Sequence, residues 1–212
     1  MRIKSSKGMA LRILNSDRYI EDPYAYKGEW ERYFGNDNEL HMELGMGRGD
    51  FLTAMAERNP DINYIGIEKY TLVIARAAGK LEETSIRNVA LIVDDIENIG
   101  MITDEESIGR IYLNFLDPWP KNRHEKRRCT SRRFLEKYSS VLKKGAQIHF
   151  KTDNEGFYEY SLAGLKQAGF EIVFHTTDLY DTIEAEGNIQ SEYEKKFVKQ
   201  NISIKKIIAG RI

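Results

Sequence analysis

The residues with the clearest chemical potential lie between positions 111 and 128, which read IYLNFLDPWPKNRHEKRR. The apolar, partly β-branched start of this stretch predicts a buried strand. Asp117 follows that strand, and Pro118 directly after it lacks an N–H and favours an extended backbone at Asp117. We therefore expect Asp117 in a stiff loop at the carboxyl end of a strand. Open α/β sheets bind their ligands at that edge.

A basic run follows this loop. Residues 121–133 contain seven Lys or Arg against one acid, although the formal net charge of the chain is -1. Such a local patch on a nearly neutral protein favours a polyanionic partner. His124 lies inside the run without a second His or Cys at ligand spacing. We therefore expect His124 to contact a phosphate of the partner or to pack against the protein, and we expect no metal site.

A second candidate site is the segment ELGMGRG at residues 43–49, between a predicted strand and a predicted helix. Gly45, Gly47 and Gly49 permit a tight turn and the close approach of a ligand. Their spacing matches neither the dinucleotide motif nor the P-loop. Glu43 would repel a phosphate but suits a cationic ligand such as S-adenosyl-L-methionine. A plain tight turn explains the three glycines equally well.

Further acids follow the next predicted strands. Glu68 lies 68 − 49 = 19 residues after the last glycine, and an acid about 20 residues on can hold both ribose hydroxyls. Asp94 and Asp95 end the third strand, where an adenine amino group would be recognised. We favour Asp95, and the choice between the two stays open. The alternative for each acid is a solvated carboxylate at a strand end.

The elements that must position these residues alternate along the chain. Strands are predicted at 40–44, 62–68, 89–93, 110–116, 147–152, 170–175 and 202–208, and the main helices at 26–34, 71–83, 131–142 and 157–168. This alternation predicts a parallel sheet wrapped by helices, with the last two strands as an antiparallel pair at one edge. Residues 1–18 hold five basic residues and are expected to form a mobile arm, and residues 19–212 a single domain.

Composition limits the protein class. The 212 residues are 41% hydrophobic, which is enough for a sizeable core. The single cysteine, Cys129, excludes an internal disulfide and favours a reducing, cytoplasmic location. No apolar run is long enough to predict a membrane span. Because Cys129 lies in the basic run, a low-pKa thiolate is one interpretation, and an inert thiol is the other.

These motifs together resemble the bacterial tRNA (guanine-N7)-methyltransferases, the TrmB family. The resemblance rests on residues 43–49, 114–128, 150–154 and 191–194, and it extends over essentially the whole chain. It implies a class I, Rossmann-like methyltransferase fold with a mostly parallel seven-stranded sheet, an antiparallel edge strand and helices on both faces. It also implies methyl transfer from S-adenosyl-L-methionine to N7 of the variable-loop guanine, position forty-six, of tRNA.

The resemblance assigns roles to individual residues. Asp117 is implied as the active-site residue and as a cofactor contact. The other implied cofactor positions are Glu43, Gly45, Gly47, Gly49, Glu68 and Asp95. The implied tRNA positions are Lys121, Asp153, Ser191, Glu192, Tyr193 and Glu194, to which the basic run adds Arg123, His124, Lys126, Arg127 and Arg128. The S-x-x-E pattern at 191–194 is also a helix capping box, which alone is sufficient to explain it.

Two other functions remain to be distinguished from methylation of tRNA. One is a non-catalytic RNA-binding subunit on a methyltransferase fold, and the acids at four strand ends argue against it. The other is a small-molecule or protein methyltransferase, against which the basic run argues. The expected partner is tRNA, no membrane association is expected, and the sequence leaves open whether the chain is a monomer or a homodimer.

Overall fold

The computed structural model describes residues 16–212, so residues 1–15 of the predicted arm lie outside the described part of the chain. The chain divides into two compact units, Met1–Thr103 and Asp104–Ile212. The mobile arm and the single domain over residues 19–212 stay predictions. At the end of the predicted arm, Arg18 is buried, and its guanidinium donates hydrogen bonds to the carbonyl oxygen of Ile86 at 2.7 and 3.0 Å.

The first unit contains a parallel set of strands. The strands are β1 (Tyr19–Ile20), β2 (Glu39–Leu44), β3 (Ile62–Glu68) and β4 (Val89–Val93). Their spatial order is β1, β4, β3 and β2, and each neighbouring pair is parallel. The helices are α1 (Trp30–Phe34), α2 (Asp50–Arg58), α3 (Thr71–Glu82) and α4 (Ile99–Ile102). The two-residue strand β1 was not predicted, so the described residues contain eight strands rather than the expected seven.

The core of this unit forms around β3. Tyr64, Ile65 and Ile67 are fully buried, as expected for a parallel strand covered on both faces. Gly66 lies among them because no larger residue fits: a Cβ there would overlap the Met46 side chain and lie 2.6 Å from Leu52 Cδ2. The loop before α2 and α2 itself therefore pack directly on the β3 backbone.

The second unit contains β5 (Ile108–Asn114), β6 (Leu142–Thr152), β7 (Phe170–Thr176) and β8 (Lys205–Arg211). Its helices are α5 (Arg132–Val141), α6 (Glu155–Gln167) and α7 (Glu192–Val198). β5 and β6 are parallel, and β8 is antiparallel to both β6 and β7. The predicted antiparallel pair of the last two strands is confirmed. β8 lies between β6 and β7, so β7 takes the edge position.

Several element boundaries differ from the sequence prediction. β8 spans Lys205–Arg211 rather than 202–208, and α1 begins at Trp30 rather than at residue 26. β5 ends at Asn114 rather than at residue 116, because Phe115 adopts a left-handed backbone with φ of 53°. β6 begins at Leu142, immediately after α5, rather than at residue 147. Gly145, with φ of 76°, lies inside β6 where its pairing with β5 is irregular, instead of closing the preceding helix.

The packing at Gly66 gives a stability prediction. We expect Gly66→Ala to lower the free energy of unfolding by about 1–3 kcal/mol, because Met46 and Leu52 must move to admit the methyl group. Urea denaturation measures the change. Gly79→Ala is the matched control, since a Cβ at that position in α3 meets nothing within 4 Å and alanine favours a helix. Equal destabilisation by both variants would contradict this account of the core.

Candidate functional site

The glycine loop of the first unit has the backbone that its composition predicts. Gly45, Gly47 and Gly49 have φ of 71°, 56° and 73°, all in the left-handed region that disfavours other residues. The loop is fixed to β3, since the Gly45 N–H donates to the Ile67 carbonyl at 2.8 Å. A Cβ at Gly49 would lie 3.0 Å from the Ala77 Cβ, whereas one at Gly47 meets nothing within 4 Å. Gly49 therefore packs on α3, and open space lies beside Gly47.

Glu68 is brought together with this loop. Its carboxylate accepts hydrogen bonds from the Gly47 N–H at 3.2 Å and from the Tyr70 N–H at 3.1 Å. Each carboxylate oxygen has a second lone pair, so Glu68 can still accept from a ligand hydroxyl. Glu43 is only 2% exposed and lies on β2 in register with Gly66 of β3. The parallel pairing thus places Glu43 and Glu68 at the carboxyl ends of the neighbouring strands β2 and β3.

Asp94 has a structural role at the end of β4. One of its oxygens accepts from the Asp95 N–H at 2.7 Å and from the Asn98 side chain at 2.8 Å. The other accepts from the Tyr24 hydroxyl at 2.7 Å, and this hydrogen bond raises the pKa of Tyr24. These contacts stabilise the turn after the strand. They leave Asp94 less suited than its neighbour to a ligand.

Asp95 is half-buried like Asp94, and one of its oxygens accepts from the Glu97 N–H at 3.0 Å. Its side chain is 41% exposed and meets the Lys69 ammonium at 2.9 Å, while the Lys69 side chain is 66% exposed. Exposed ion pairs of this kind are weak and exchange readily with solvent. This geometry favours Asp95 over Asp94 as the ligand-facing residue.

In the second unit, Asp117 lies in a loop with two strained residues. Phe115 and Trp119 have φ of 53° and 43°, and each such conformation costs a bulky residue about 1–2 kcal/mol. The Phe115 N–H donates to the Lys151 carbonyl at 2.9 Å, and its ring stacks on Phe197 at 5.7 Å. Asp117 itself is exposed. The surrounding contacts therefore hold a strained backbone with the carboxylate facing solvent.

Side chains of the basic run pack against this loop. The Trp119 ring has His124 at its edge, 5.5 Å away, and the Arg127 guanidinium over its face at 4.9 Å. The Arg128 guanidinium donates hydrogen bonds to the carbonyl oxygens of Pro118 and Trp119, each at 3.2 Å. The run therefore has an inner set of residues that contact the loop.

Other members of the run face solvent. Lys121, Arg123 and Lys126 are exposed, and their side chains form no hydrogen bond or ion pair with residues 16–212. Cys129 differs from them because it is 2% exposed, and burial raises the pKa of its thiol. The low-pKa thiolate is excluded by this environment, and the inert thiol is the correct interpretation.

The segment after Gln190 forms the predicted helix cap in part. Ser191 is the N-cap of α7, and its hydroxyl accepts from the Glu194 N–H at 3.2 Å. The Glu194 carboxylate does not complete the capping box. It is fully buried and pairs instead with the Lys151 ammonium at 2.5 Å. Lys151 lies near the carboxyl end of β6, two residues before Asp153.

This buried ion pair is surrounded by further hydrogen bonds. Lys151 also donates to the Asn188 side chain at 3.1 Å and to the Ile189 carbonyl at 3.0 Å. Glu194 also accepts from the Tyr180 hydroxyl at 2.8 Å, and burial raises the pKa of Tyr180 to about 12. Sequence reasoning missed this network. Its one signal was a lysine, Lys151, between Phe150 and Thr152 near the end of a predicted strand, because a lysine that becomes buried there requires a partner.

The exposed members of the same segment are Glu192 and Tyr193, the latter 56% exposed. Asp153 is partly exposed, and its carbonyl oxygen accepts from the Lys205 ammonium at 3.1 Å. Because Glu194 is tied to β6, the predicted tRNA-binding segment at 191–194 lies against the strand that carries Asp153. The structure thus brings together two predicted substrate positions that are distant in sequence.

Comparison with known proteins identifies the family. A family model described as "Putative methyltransferase" matches residues 37–207. The tRNA (guanine-N(7)-)-methyltransferase of Bacillus velezensis is 48% identical over 183 residues, which are 86% of this chain and 84% of the relative. That of Lachnoclostridium phytofermentans is 43% identical over 211 residues, 100% of this chain and 99% of the relative. The chain belongs to the tRNA (guanine-N7)-methyltransferase family.

A solved structure supports the fold of this methyltransferase. The structure described as an antibiotic related methyltransferase superposes with a TM-score of 0.64 and 19% identity, covering 87% of this chain and 94% of that one. The predicted class I, Rossmann-like methyltransferase fold is confirmed. Among residues 16–212, no helix is long and apolar enough to cross a membrane, and no cluster of three or more His, Cys, Asp or Glu is arranged to hold a metal ion.

The donor set of the first unit fits the cofactor of the family, S-adenosyl-L-methionine. Glu43, Glu68 and Asp95 offer carboxylates to a molecule that has an ammonium, a ribose diol and an adenine amino group to donate. Open space beside Gly47 admits a ligand close to the backbone. The same set would disfavour a phosphate-bearing cofactor.

The buried ion pair gives a second prediction. We expect Lys151→Met to lower the free energy of unfolding by about 3–5 kcal/mol, because it leaves the Glu194 carboxylate buried without its cation. Adding Glu194→Leu removes that charge and restores much of the loss. Urea denaturation of both variants measures the effect.

The control for this prediction is Arg132→Ala. It breaks an ion pair with Glu136 whose side chains are 90% and 60% exposed, so it should cost less than about 1 kcal/mol. A double variant no more stable than Lys151→Met would show that Glu194 is not stabilised mainly by this lysine.

Proposed function

We propose that this chain methylates N7 of the variable-loop guanine, position forty-six, of tRNA with S-adenosyl-L-methionine as methyl donor. The observation that carries the proposal is the loop at residues 115–119. It presents an exposed carboxylate, Asp117, from a strained and braced backbone directly before an exposed basic run. Its relatives at 43–48% identity are named tRNA (guanine-N(7)-)-methyltransferase. The partner is tRNA in the cytoplasm, with the chain acting as a monomer or a homodimer.

The chemistry of guanine N7 decides what the protein must do. N7 has an in-plane lone pair and carries no proton at neutral pH, so its attack requires no general base. S-adenosyl-L-methionine, when bound, supplies an electrophilic methyl group, and the electrons of its carbon–sulfur bond return to sulfur as N7 takes the methyl. Positive charge remains on the purine. Catalysis therefore rests on positioning and on negative charge near the purine.

Asp117 is the residue assigned to that task. Its carboxylate accepts a hydrogen bond from the guanine N1–H or the exocyclic amine and stabilises the charge that develops on the ring. On the cofactor side, Glu68 accepts from the ribose hydroxyls and Glu43 faces the ammonium group. Asp95 accepts from the adenine amino group. None of these residues has to move a proton.

The exposed lysines and arginines give affinity for the tRNA backbone. Lys121, Arg123 and Lys126 present unpaired positive charge to solvent, which suits contacts to phosphate oxygens. Asp153 directly follows β6, and Ser191 and Tyr193 lie in the segment tied to that strand. All three are assigned to the substrate nucleoside. Their carboxylate, hydroxyl and aromatic ring offer hydrogen bonds and stacking to a base.

Replacing Asp117 tests the proposed function. We expect Asp117→Ala to lower the methyl-transfer rate constant by about 10²–10³, the effect of removing one preorganised electrostatic group. Asp117→Asn keeps the shape and one acceptor and should be impaired less. The measurement is single-turnover transfer from labelled S-adenosyl-L-methionine to unmodified tRNA, and a tRNA with 7-deazaguanosine at the target position should accept no methyl group.

Glu105→Gln is the matched control, since it removes an exposed carboxylate of the same unit. It should keep the wild-type rate. A wild-type protein that binds tRNA but transfers no methyl group would instead support a non-catalytic RNA-binding subunit. Methylation of 7-deazaguanosine tRNA would overturn the assignment to N7.

The basic run gives a prediction of its own. If Lys121 and Lys126 contact phosphates, their double substitution by alanine should weaken tRNA binding and reduce the slope of log K against log salt by about 1–2 units through counterion release. Affinity for S-adenosyl-L-methionine should stay unchanged. Filter binding over a series of salt concentrations measures the slope.

The control replaces Lys143 and Lys144, two exposed lysines at the amino end of β6. This control removes the same amount of charge from the amino end of β6, outside the basic run. It should leave the slope near the wild-type value. Equal loss of slope in both double variants would indicate a general effect of net charge rather than local phosphate contacts.

A further inference from the structure

We propose that Arg128 is a positioning residue that holds the Asp117 loop in shape, and that it does not bind a tRNA phosphate. This inference rests on the proposed function, because it assigns to Arg128 the presentation of Asp117. It separates Arg128 from the lysines and arginines next to it in sequence. Four observations on the second unit carry it.

The first observation is the fork of hydrogen bonds made by the guanidinium. Arg128 Nε lies 3.2 Å from the carbonyl oxygens of both Pro118 and Trp119, and Nη2 lies 3.2 Å from that of Trp119. These carbonyls belong to the two residues that follow Asp117. A planar guanidinium can bridge adjacent carbonyls in this way, whereas the ammonium of lysine is a single point charge.

The second observation is the strain that this fork opposes. Trp119 has φ of 43° and Phe115 has φ of 53°, so left-handed backbone flanks Asp117 on both sides. Bulky residues keep such conformations only when surrounding contacts impose them. On the amino side of Asp117 the contacts come from Lys151 and Phe197. On the carboxyl side, Arg128 supplies the hydrogen bonds to the strained backbone.

The third observation is the anchorage of Arg128 itself. Its N–H donates to the Glu125 carbonyl at 3.0 Å, and its carbonyl accepts from the Ser131 N–H at 2.9 Å. The two residues after it, Cys129 and Thr130, are buried at 2% and 0% exposure. The side chain therefore extends from a fixed backbone, as a brace must.

The fourth observation is the ring beneath the guanidinium. Arg128 Cζ lies 4.3 Å from the centre of the Tyr160 ring on α6, and the Tyr160 hydroxyl donates to the Glu125 carboxylate. Burial, followed by this hydrogen bond, raises the pKa of Tyr160. The neutral ring stacks on one face of the cation. Lys121 and Lys126 have no such contacts and face solvent.

The deciding experiment compares Arg128→Lys and Arg128→Ala in single-turnover methyl transfer at saturating tRNA and S-adenosyl-L-methionine. We expect both variants to lose about 10- to 100-fold in rate constant, because the loop that carries Asp117 is displaced. The lysine variant should not rescue the rate although it keeps the charge. The salt slope of tRNA binding should match that of wild type for both.

Lys166→Ala serves as the charge-matched control, since Lys166 is an exposed residue of α6 outside the basic run. It should keep the wild-type rate. The proposal is overturned if Arg128→Lys keeps the wild-type rate while Arg128→Ala reduces the salt slope by about one unit, the signature of a phosphate contact.

A second measurement reports on the conformation of the Asp117 loop and does not require methyl transfer. The chain has two tryptophans, so Trp119 can be observed alone in a Trp30→Phe background. We expect Arg128→Lys to increase acrylamide quenching of Trp119 in the absence of ligands. Unchanged quenching would overturn the proposal that Arg128 holds the Asp117 loop in shape. The quenching measurement does not depend on methyl transfer. If the wild-type protein failed to methylate tRNA, the proposed function would be wrong, but quenching would still test whether Arg128 holds the loop.

Tyr160 provides a further pair of variants for use if the Arg128 variants do not fold. Tyr160→Phe keeps the ring beneath the guanidinium, and Tyr160→Leu removes it. We expect the leucine variant to raise Trp119 quenching and lower the transfer rate constant by about tenfold or more, while the phenylalanine variant stays closer to wild type. Equal behaviour of the two variants would show that the stacked ring does not support the brace.

Discussion

Parallel pairing of strands is the constraint from which the candidate sites follow. Neighbouring parallel strands end at the same edge of a sheet. Acidic residues that directly follow such strands in sequence therefore lie close together at that edge. In the first unit, β2, β3 and β4 place Glu43 and Glu68 beside a glycine loop that is hydrogen-bonded to β3. In the second unit, β5 and β6 carry the Asp117 loop and Asp153 at their carboxyl ends. Each unit thus offers one edge for chemistry.

The two loops at these edges obtain their unusual backbone in different ways. The glycine loop uses residues for which a left-handed φ costs little, so its shape is encoded locally. The Asp117 loop places Phe115 and Trp119 in the same region of φ, which costs free energy that neighbouring contacts must offset. Stacking by Phe197 and the fork from Arg128 supply those contacts. A stiff loop around the proposed catalytic carboxylate is the result.

Charged residues of the second unit fall into three groups according to their burial. Lys151 and Glu194 are removed from water, so each requires the other and the hydrogen bonds around them. Arg128 is intermediate, with its guanidinium held by two carbonyls and a ring. Lys121 and Lys126 remain solvated and keep their charge available for a polyanion. We therefore propose that one basic segment supplies both an internal support and an external binding surface.

The sequence by itself determined the features that depend on local pattern. β3 was predicted with its observed bounds, because apolar and β-branched residues between turn signals suffice to define a buried strand. The left-handed glycines, the Ser191 cap and the place of Asp117 after a strand follow from residue type in the same way.

Only the tertiary structure decided which charged side chains turn inward. Glu194 meets Lys151 across 43 residues, and Arg128, in a loop, meets Tyr160 of α6. The burial that raises the pKa of Cys129 is likewise set by packing. Sequence spacing reports the neighbours of a residue along the chain, whereas desolvation and hydrogen-bond partners depend on elements that meet only in the folded chain.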